Sequence, residues 1–254
     1  DINGHVSQWE DVGPYYAAYI GNTGDRDADG FGGLHYTETS GRNDIAGVKV
    51  ARDADNLYFL IECAADVTSP TALWMNLYLD TDQSAHGWET FDYVVNRAAP
   101  GVVERFTGNG YETEKVGEVS YTVNGKYLQI SVPKSMLGLS GCDFTVNFAV
   151  TDNVHDADDT AVFSGDIMDF YVSGDAAPGG RFKFSYVSTA ENAGVTTDTE
   201  AVTEAPTTSD TTPVSEADTK PSASGCRSVL PAAWLSLVIP FLPVLLRRRR
   251  TQTV

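Results

Sequence analysis

From Ile45 to Val187 the chain repeats one pattern: short apolar runs that alternate with polar positions and stop at turn residues. "IAGVKVARD", "NLYFLIECAAD", "LWMNLYLDTD", "FDYVVNR" and "GVVERFTG" follow one another, and "EVSYTVN", "KYLQISVP", "DFTVNFAVTD" and "GRFKFSYV" continue the series. β-branched and aromatic side chains dominate these runs, and Gly, Asn, Asp or Pro bounds them, the composition of strands on a pleated, half-buried surface. Asn124-Gly125 sits between two such runs and predicts a tight hairpin, because both residues tolerate positive φ. Only "PKSMLGL" (133–139) has helical character, enough for a turn or two. Many short strands with regular turns predict an all-β fold, a two-sheet antiparallel β-sandwich of jelly-roll-like type.

The pattern stops at Thr189. Residues 189–224 are rich in Thr, Ala, Glu, Pro, Ser and Asp and contain no aromatic residue, so they predict a disordered linker, an extended stalk outside the folded domain of residues 1–188. Residues 225–254 form a hydrophobic anchor segment. Its stretch Val229–Leu246 has no charge but three prolines, and Arg247 to Arg250 follow. That length is near the lower limit for a spanning helix, and the arginine cluster orients the tail to the cytoplasm and the folded domain outside. The chain opens on Asp1 with no charged-then-apolar leader, which is expected of the C-terminal piece of a longer or processed protein.

Charge narrows the partners. The net charge is -18, and five of the 17 basic residues lie at Arg227 and Arg247 to Arg250, while all 35 acids precede them. The folded part is therefore more acidic than the whole and repels nucleic acid, which is excluded as a partner. Cations and neutral ligands suit such a surface. Three cysteines make no disulfide framework; Cys63 and Cys142 read as free thiols, with their pairing left open. Catalysis has no support, since no two of the four histidines have metal-ligand spacing and no nucleophile motif is present.

Four stretches in order carry a family resemblance. "DINGHVSQWEDV", "GVKVARDADNLYFLIECAAD", "LYLDTDQSAHGWETFDYVVNR" and "GRFKFSYV" resemble the signatures of carbohydrate-binding module family 9 and its DOMON-related relatives, across residues 1–188. The resemblance implies a β-sandwich, structural Ca²⁺ and non-catalytic binding of polysaccharide or oligosaccharide. Trp74 is near the position of one sugar-stacking tryptophan of that family and Arg97 near a ligand-binding arginine. Before the last strand, where the family has a second stacking tryptophan, this chain has Phe170 and Tyr171. The C-terminus is similar to tripartite bacterial sorting tails, and Ser224-Gly225-Cys226 to signals processed at the cysteine, which makes Cys226 either an acylation point or an ordinary juxtamembrane cysteine.

Two acidic stretches are candidates for Ca²⁺, a hard ion that takes several carboxylate and carbonyl oxygens. Asp80, Asp82 and Ser84 stand at alternate positions and Asp92 follows, nearly the oxygen spacing of an EF-hand loop; a solvated acidic turn is the alternative. Asp25, Asp27, Asp29 and Gly30 fit D-x-D-x-D-G, with Tyr36 where a bidentate Glu belongs. The third acidic stretch, 152–159, reads as a surface loop. For sugar, Trp74 either binds or points into the core, and Trp88, exposed by its loop position, is a comparable platform beside Arg97 and Tyr171. Trp9 reads as a core staple. The expected whole is a calcium-stabilised, non-catalytic carbohydrate-binding module on the outer face of a bacterial membrane or wall. The alternative is a structural spacer or adhesion sandwich without sugar binding.

Overall fold

The computed structural model describes residues 2, 3, 5–23, 26–157 and 161–190. In chain order the strands are β1 (Tyr15–Ala17), β2 (Arg26–Asp29), β3 (His35–Glu38), β4 (Ile45–Arg52), β5 (Asn56–Cys63), β6 (Asn76–Asp80) and β7 (Tyr93–Val95). They continue as β8 (Val102–Phe106), β9 (Thr113–Glu118), β10 (Ser120–Asn124), β11 (Tyr127–Pro133), β12 (Phe144–Asp152), β13 (Asp175–Ala177) and β14 (Phe184–Ser188). The first sheet has the order β1-β4-β5-β11-β10. The second has β13-β12-β6-β7-β8-β9, with β14 also on β12, and β2-β3 form a separate hairpin. Every pairing is antiparallel. The fold is the all-β sandwich that the alternation predicts.

Local chemistry explains the turns. Asn124 pairs with Tyr127 across the Asn-Gly turn, where Gly125 has φ +57. Between β4 and β5, Asp53 Oδ1 accepts from the Asp55 and Asn56 amides at 2.8 and 2.7 Å, an Asx cap that turns the chain back on itself. "PKSMLGL" contributes a single 3₁₀ turn at Lys134–Leu137, closed by Gly138 at φ +68.

Side-chain alternation divides the apolar residues between two layers. Val48, Val50, Phe59, Ile61, Leu128 and Ile130 of the first sheet meet Leu77, Leu79, Val95, Phe148 and Val150 of the second, and this is the core between the sheets. The intervening positions of the second sheet, Tyr78, Val94 and Ala149, point the other way into a second apolar layer with Trp88, Phe91, Phe106, Phe163 and Phe170. Strand β6 is therefore buried at every position. Its run "NLYLD" reads as near-continuous apolar because loops cover its outer face as well.

Trp9 is buried and donates through Nε1 to Gln129 Oε1 at 2.8 Å, fixing the N-terminal 3₁₀ turn to β11. Cys63 and Cys142 are free thiols; Cys63 is buried, whereas Cys142 is exposed. Among the described residues no helix is long and apolar enough to cross a membrane. Most of the 189–224 linker, the whole 225–254 anchor and Cys226 lie outside the described residues.

Candidate metal centre and its surroundings

Asp80 closes β6 and Asp92 sits just before β7, so the hairpin between them returns the second carboxylate to the first. The return is pinned by main-chain bonds: the Asp92 amide donates to Leu79 O and the Phe106 amide to Asp92 O, both at 2.8 Å. Within the loop, the Gln83 amide donates to Asp80 Oδ1 at 2.9 Å, the Ser84 amide to Asp82 Oδ1 at 2.8 Å and the His86 amide to Ser84 Oγ at 3.1 Å. Each short polar side chain thus caps the amide two or three residues on, which coils the loop and directs its carboxylates to one side. Gly87 has φ +89, and a Cβ there would lie 2.0 Å from Phe91 O, so only glycine fits this return.

The result brings Asp80, Asp82 and Asp92 together, with one carboxylate oxygen of each within 4.8 Å of the others, an arrangement that could hold a metal ion. Asp80 is buried, Asp92 half-buried and Asp82 exposed. Burial pushes the Asp92 carboxyl above its usual range; hydrogen bonds from Thr81 oppose this, and the charges of Asp82 and Asp80 add to it. The Ser84 amide holds Asp82 below its usual range. Lys183 on the approach to β14 already supplies one positive charge: its Nζ donates to Asp80 Oδ2 at 2.9 Å and lies 4.0 Å from the Phe91 ring centroid. Asn147 Nδ2 donates to the same oxygen at 3.1 Å. Asp82 and Asp92 open onto a cleft of about 320 Å³ that His86, Tyr93 and Arg105 also line.

The second expected calcium loop takes a different form. Asp27 and Asp29 belong to strand β2, paired with Thr37 and His35 on β3. As residues two apart on a strand they project to the same side, where both grip one imidazole: Asp29 Oδ1 is 2.9 Å from His35 Nδ1 and Asp27 Oδ1 is 2.7 Å from Nε2. Those hydrogen bonds, Asp29 first and Asp27 second, raise the His35 pKa. A histidine sits where the D-x-D-x-D-G reading expects a cation, because the segment pairs as a hairpin instead of coiling as a loop. Asp25 lies outside the described residues.

Both tryptophan platforms are corrected by burial. Trp74, 1% exposed, donates to Thr68 O at 3.0 Å and meets Tyr121 edge-on at 5.7 Å. It takes the core orientation of the two open at the sequence level. Trp88, expected to be exposed, is 3% exposed and donates to Gly165 O at 3.0 Å at the centre of the second apolar layer. Neither indole has a free face for a sugar. Arg97 lies at 5.1 Å over the Tyr111 ring, pairs with Glu104 at 3.2 Å and donates to Thr113. It borders a cleft of about 440 Å³ with Asn96, Ala98, Tyr111 and Phe163. Tyr171 remains 47% exposed, and its hydroxyl accepts from the Arg181 amide at 3.2 Å. Next to Arg181 stands Phe182, 72% exposed, and Arg181 itself pairs with Glu89 at 3.0 Å.

The stretch read as a surface loop hides a buried polar network. Asp152 and His155 are both fully buried. Asp152 accepts from Arg42 Nε at 2.7 Å and from the Met75 amide at 3.0 Å. His155 Nε2 lies 3.6 Å from Glu38 Oε2, and its Nδ1 lies 2.8 Å from Asp156 O. Burial pushes the Glu38 carboxyl up, but the nearby His155 ring and the hydrogen bonds from Ser40 outweigh it and bring the group down to about 2. The same Glu38 contact raises the His155 pKa against the opposing effect of burial. Tyr36, at the position suspected of replacing a ligand, donates instead to Asp169 Oδ1 at 2.5 Å. The β2–β3 hairpin is thereby fastened to the sandwich through groups that composition alone assigns to solvent. No family model, curated protein or solved structure matches the chain.

Proposed function

We propose that residues 1–188 form a non-catalytic, calcium-stabilised module that binds carbohydrate. The observation that carries this reading is the convergence of Asp80, Asp82 and Asp92, built on main-chain bonds between neighbouring strands. An oxygen-only set of carboxylates on a coiled loop suits Ca²⁺ better than a softer metal. The ion would balance the charge of Asp92, whose ionised form burial disfavours. For the sugar, the exposed rings of Tyr171, whose hydroxyl accepts from the Arg181 amide, and of Phe182, next to Arg181 in the chain, would supply the apolar contacts, and the Arg181–Glu89 pair the hydrogen-bonding groups. Display on the outer face of a membrane or wall is part of the proposal and is supported by the stalk-and-anchor pattern of residues 189–254.

The test is titration of the chain with a panel of soluble oligosaccharides and co-sedimentation with insoluble glycans, each with Ca²⁺ and with chelator. Tyr171→Ala and Phe182→Ala are each expected to weaken binding about tenfold, the value of one aromatic contact. Binding that survives both substitutions unchanged would overturn the assignment of the platform. A second reading, a spacer or adhesion domain that keeps the ion but not the sugar, is favoured by the burial of Trp74 and Trp88. It predicts no binding to any glycan in the panel.

A further inference from the structure

The β2–β3 hairpin is a separate two-stranded sheet, and among the described residues no main-chain hydrogen bond joins it to either layer of the sandwich. Side chains hold it instead. Arg26 donates to Gly174 O at 2.9 Å and Tyr36 to Asp169 Oδ1 at 2.5 Å. Glu38 Oε2 accepts from Asn153 Nδ2 and faces His155 Nε2 at 3.6 Å. The chain is fixed again just outside the hairpin, where the Gly21 amide donates to Asp44 and Arg42 donates to Asp152, Thr71 and Ala72 O. Gly21 at φ +89 and Gly41 at φ +53 lie at these anchors, and a Cβ at either would meet nothing within 4 Å. Both ends of the hairpin can therefore turn without displacing a neighbour.

The contact between Glu38 and His155 has a defined proton requirement. His155 is held from the sandwich side, its amide donating to Ser173 Oγ at 3.0 Å. Its ring Nδ1 lies 2.8 Å from Asp156 O, and a carbonyl only accepts, so Nδ1 carries a hydrogen whether the ring is neutral or charged. Nε2 is therefore the nitrogen that gains and loses the proton. It has no hydrogen-bond partner, and His155 is 0% and Glu38 4% exposed. With Nε2 protonated, an imidazolium faces a carboxylate; without that proton, a lone pair faces the carboxylate in the same sealed space, and attraction becomes repulsion. The surrounding charges do not relieve this. Asp169 adds negative charge near the ring, with Asp166 and Asp156 behind it, and Arg42, which borders the same cleft as Glu38, is committed to Asp152.

We propose that the β2–β3 hairpin is a strap latched by Glu38 and His155, and that loss of the Nε2 proton releases it while the sandwich stays folded. Release takes Leu34 and Tyr36 from one wall of a cleft of about 410 Å³ that Asp156, Ser164 and Asp166 also line, so the latch sets access to that cleft. Glu38 raises the proton affinity of His155 in the latched state, so the latch is complete in mild acid and is lost as pH rises through that raised value. His35 titrates on the same hairpin, but its partners Asp27 and Asp29 move with it, so it has no part in the latch.

The experiment is native-state amide hydrogen exchange of the full chain at about pH 5 and about pH 8, corrected for the intrinsic pH dependence of exchange and repeated in low urea. Amides of β2 and β3 should be less protected than those of β5 and β11 and insensitive to low urea, and they should lose at least about threefold of their protection between the two pH values. His155→Gln and Glu38→Gln, each of which places an uncharged amide in the pair, should abolish that loss. Three results overturn the proposal: hairpin amides with the protection and urea dependence of β5, hairpin protection that is equal at both pH values, or a loss that persists in His155→Gln. The first two are read on the wild type alone, so a variant that fails to fold leaves the test intact.

Discussion

Replacing Trp88 with alanine separates a core residue from a binding platform. The indole contacts Tyr78, Phe91, Phe106, Tyr111, Phe163 and Phe170 at ring-centroid distances from 4.8 to 6.1 Å. Truncating a buried Trp to Ala costs about 3–5 kcal/mol in transfer and cavity terms. Leaving the half-buried Gly165 carbonyl without the Nε1 donor adds about 1 kcal/mol. A loss of about 4–6 kcal/mol is a large share of the stability of a typical domain, about 5–15 kcal/mol. Over a domain of this size it should lower the melting midpoint by about 10–20 °C. Urea unfolding followed by far-ultraviolet circular dichroism reads the change without relying on tryptophan emission. Trp88→Phe, which keeps a ring but not the N–H, should cost much less, about 1–2 kcal/mol. A loss below about 1 kcal/mol for Trp88→Ala would refute the burial argument and return the indole to the surface.

Lys183→Met removes the ammonium from buried Asp80, and breaking such a pair should destabilise the calcium-free chain by about 3 kcal/mol. Because the cation then has Asp80 to itself, saturating Ca²⁺ should restore most of that loss, as read by urea midpoints with and without the ion; a deficit unaffected by Ca²⁺ contradicts the shared use of Asp80. Stability should also peak in mild acid. Glu38 is held low, so its contribution is complete above its unfolded value of 4.5 and is lost as pH falls towards about 2. His155 is held high, so its contribution is complete below 6.5 and is lost as pH rises through its raised folded value. Asp169, pushed up to about 6 by burial, binds its proton more tightly when folded and adds stability as pH falls from there towards 3.8. Urea midpoints should therefore be higher at about pH 5 than at about pH 8, and His155→Gln should flatten the fall between them; an unchanged profile in that variant contradicts the Glu38–His155 pairing.

The strands were legible because alternation is a local property, and "SYTVN" followed by "KYLQISVP" needs only its own residues to announce a hairpin. The Asp80–Asp82–Asp92 cluster was legible for the same reason, since one loop carries all three residues. Trp88 was misread because its burial depends on loops around Phe106, Phe163 and Phe170 folding over the outer face of β6, which no window around residue 88 contains. The contact of Asp27 and Asp29 with His35 was not legible, because a motif cannot reveal that β3 pairs alongside. The Glu38–His155 contact and the bond from the Ile45 amide to Asp175 join residues more than a hundred positions apart, and only topology brings them together. The one available hint was strand phase: Asp152 ends a nine-residue strand on a position that alternation sends inward.

Thermal unfolding of the full chain in Ca²⁺ and then in excess chelator tests the central claim most directly. An ion bound only by the folded state adds about 2.7 kcal/mol per site at a hundred times its dissociation constant. For a domain of this size that raises the midpoint by about 5–10 °C for one site. Superimposable curves with Ca²⁺ and with chelator would contradict it.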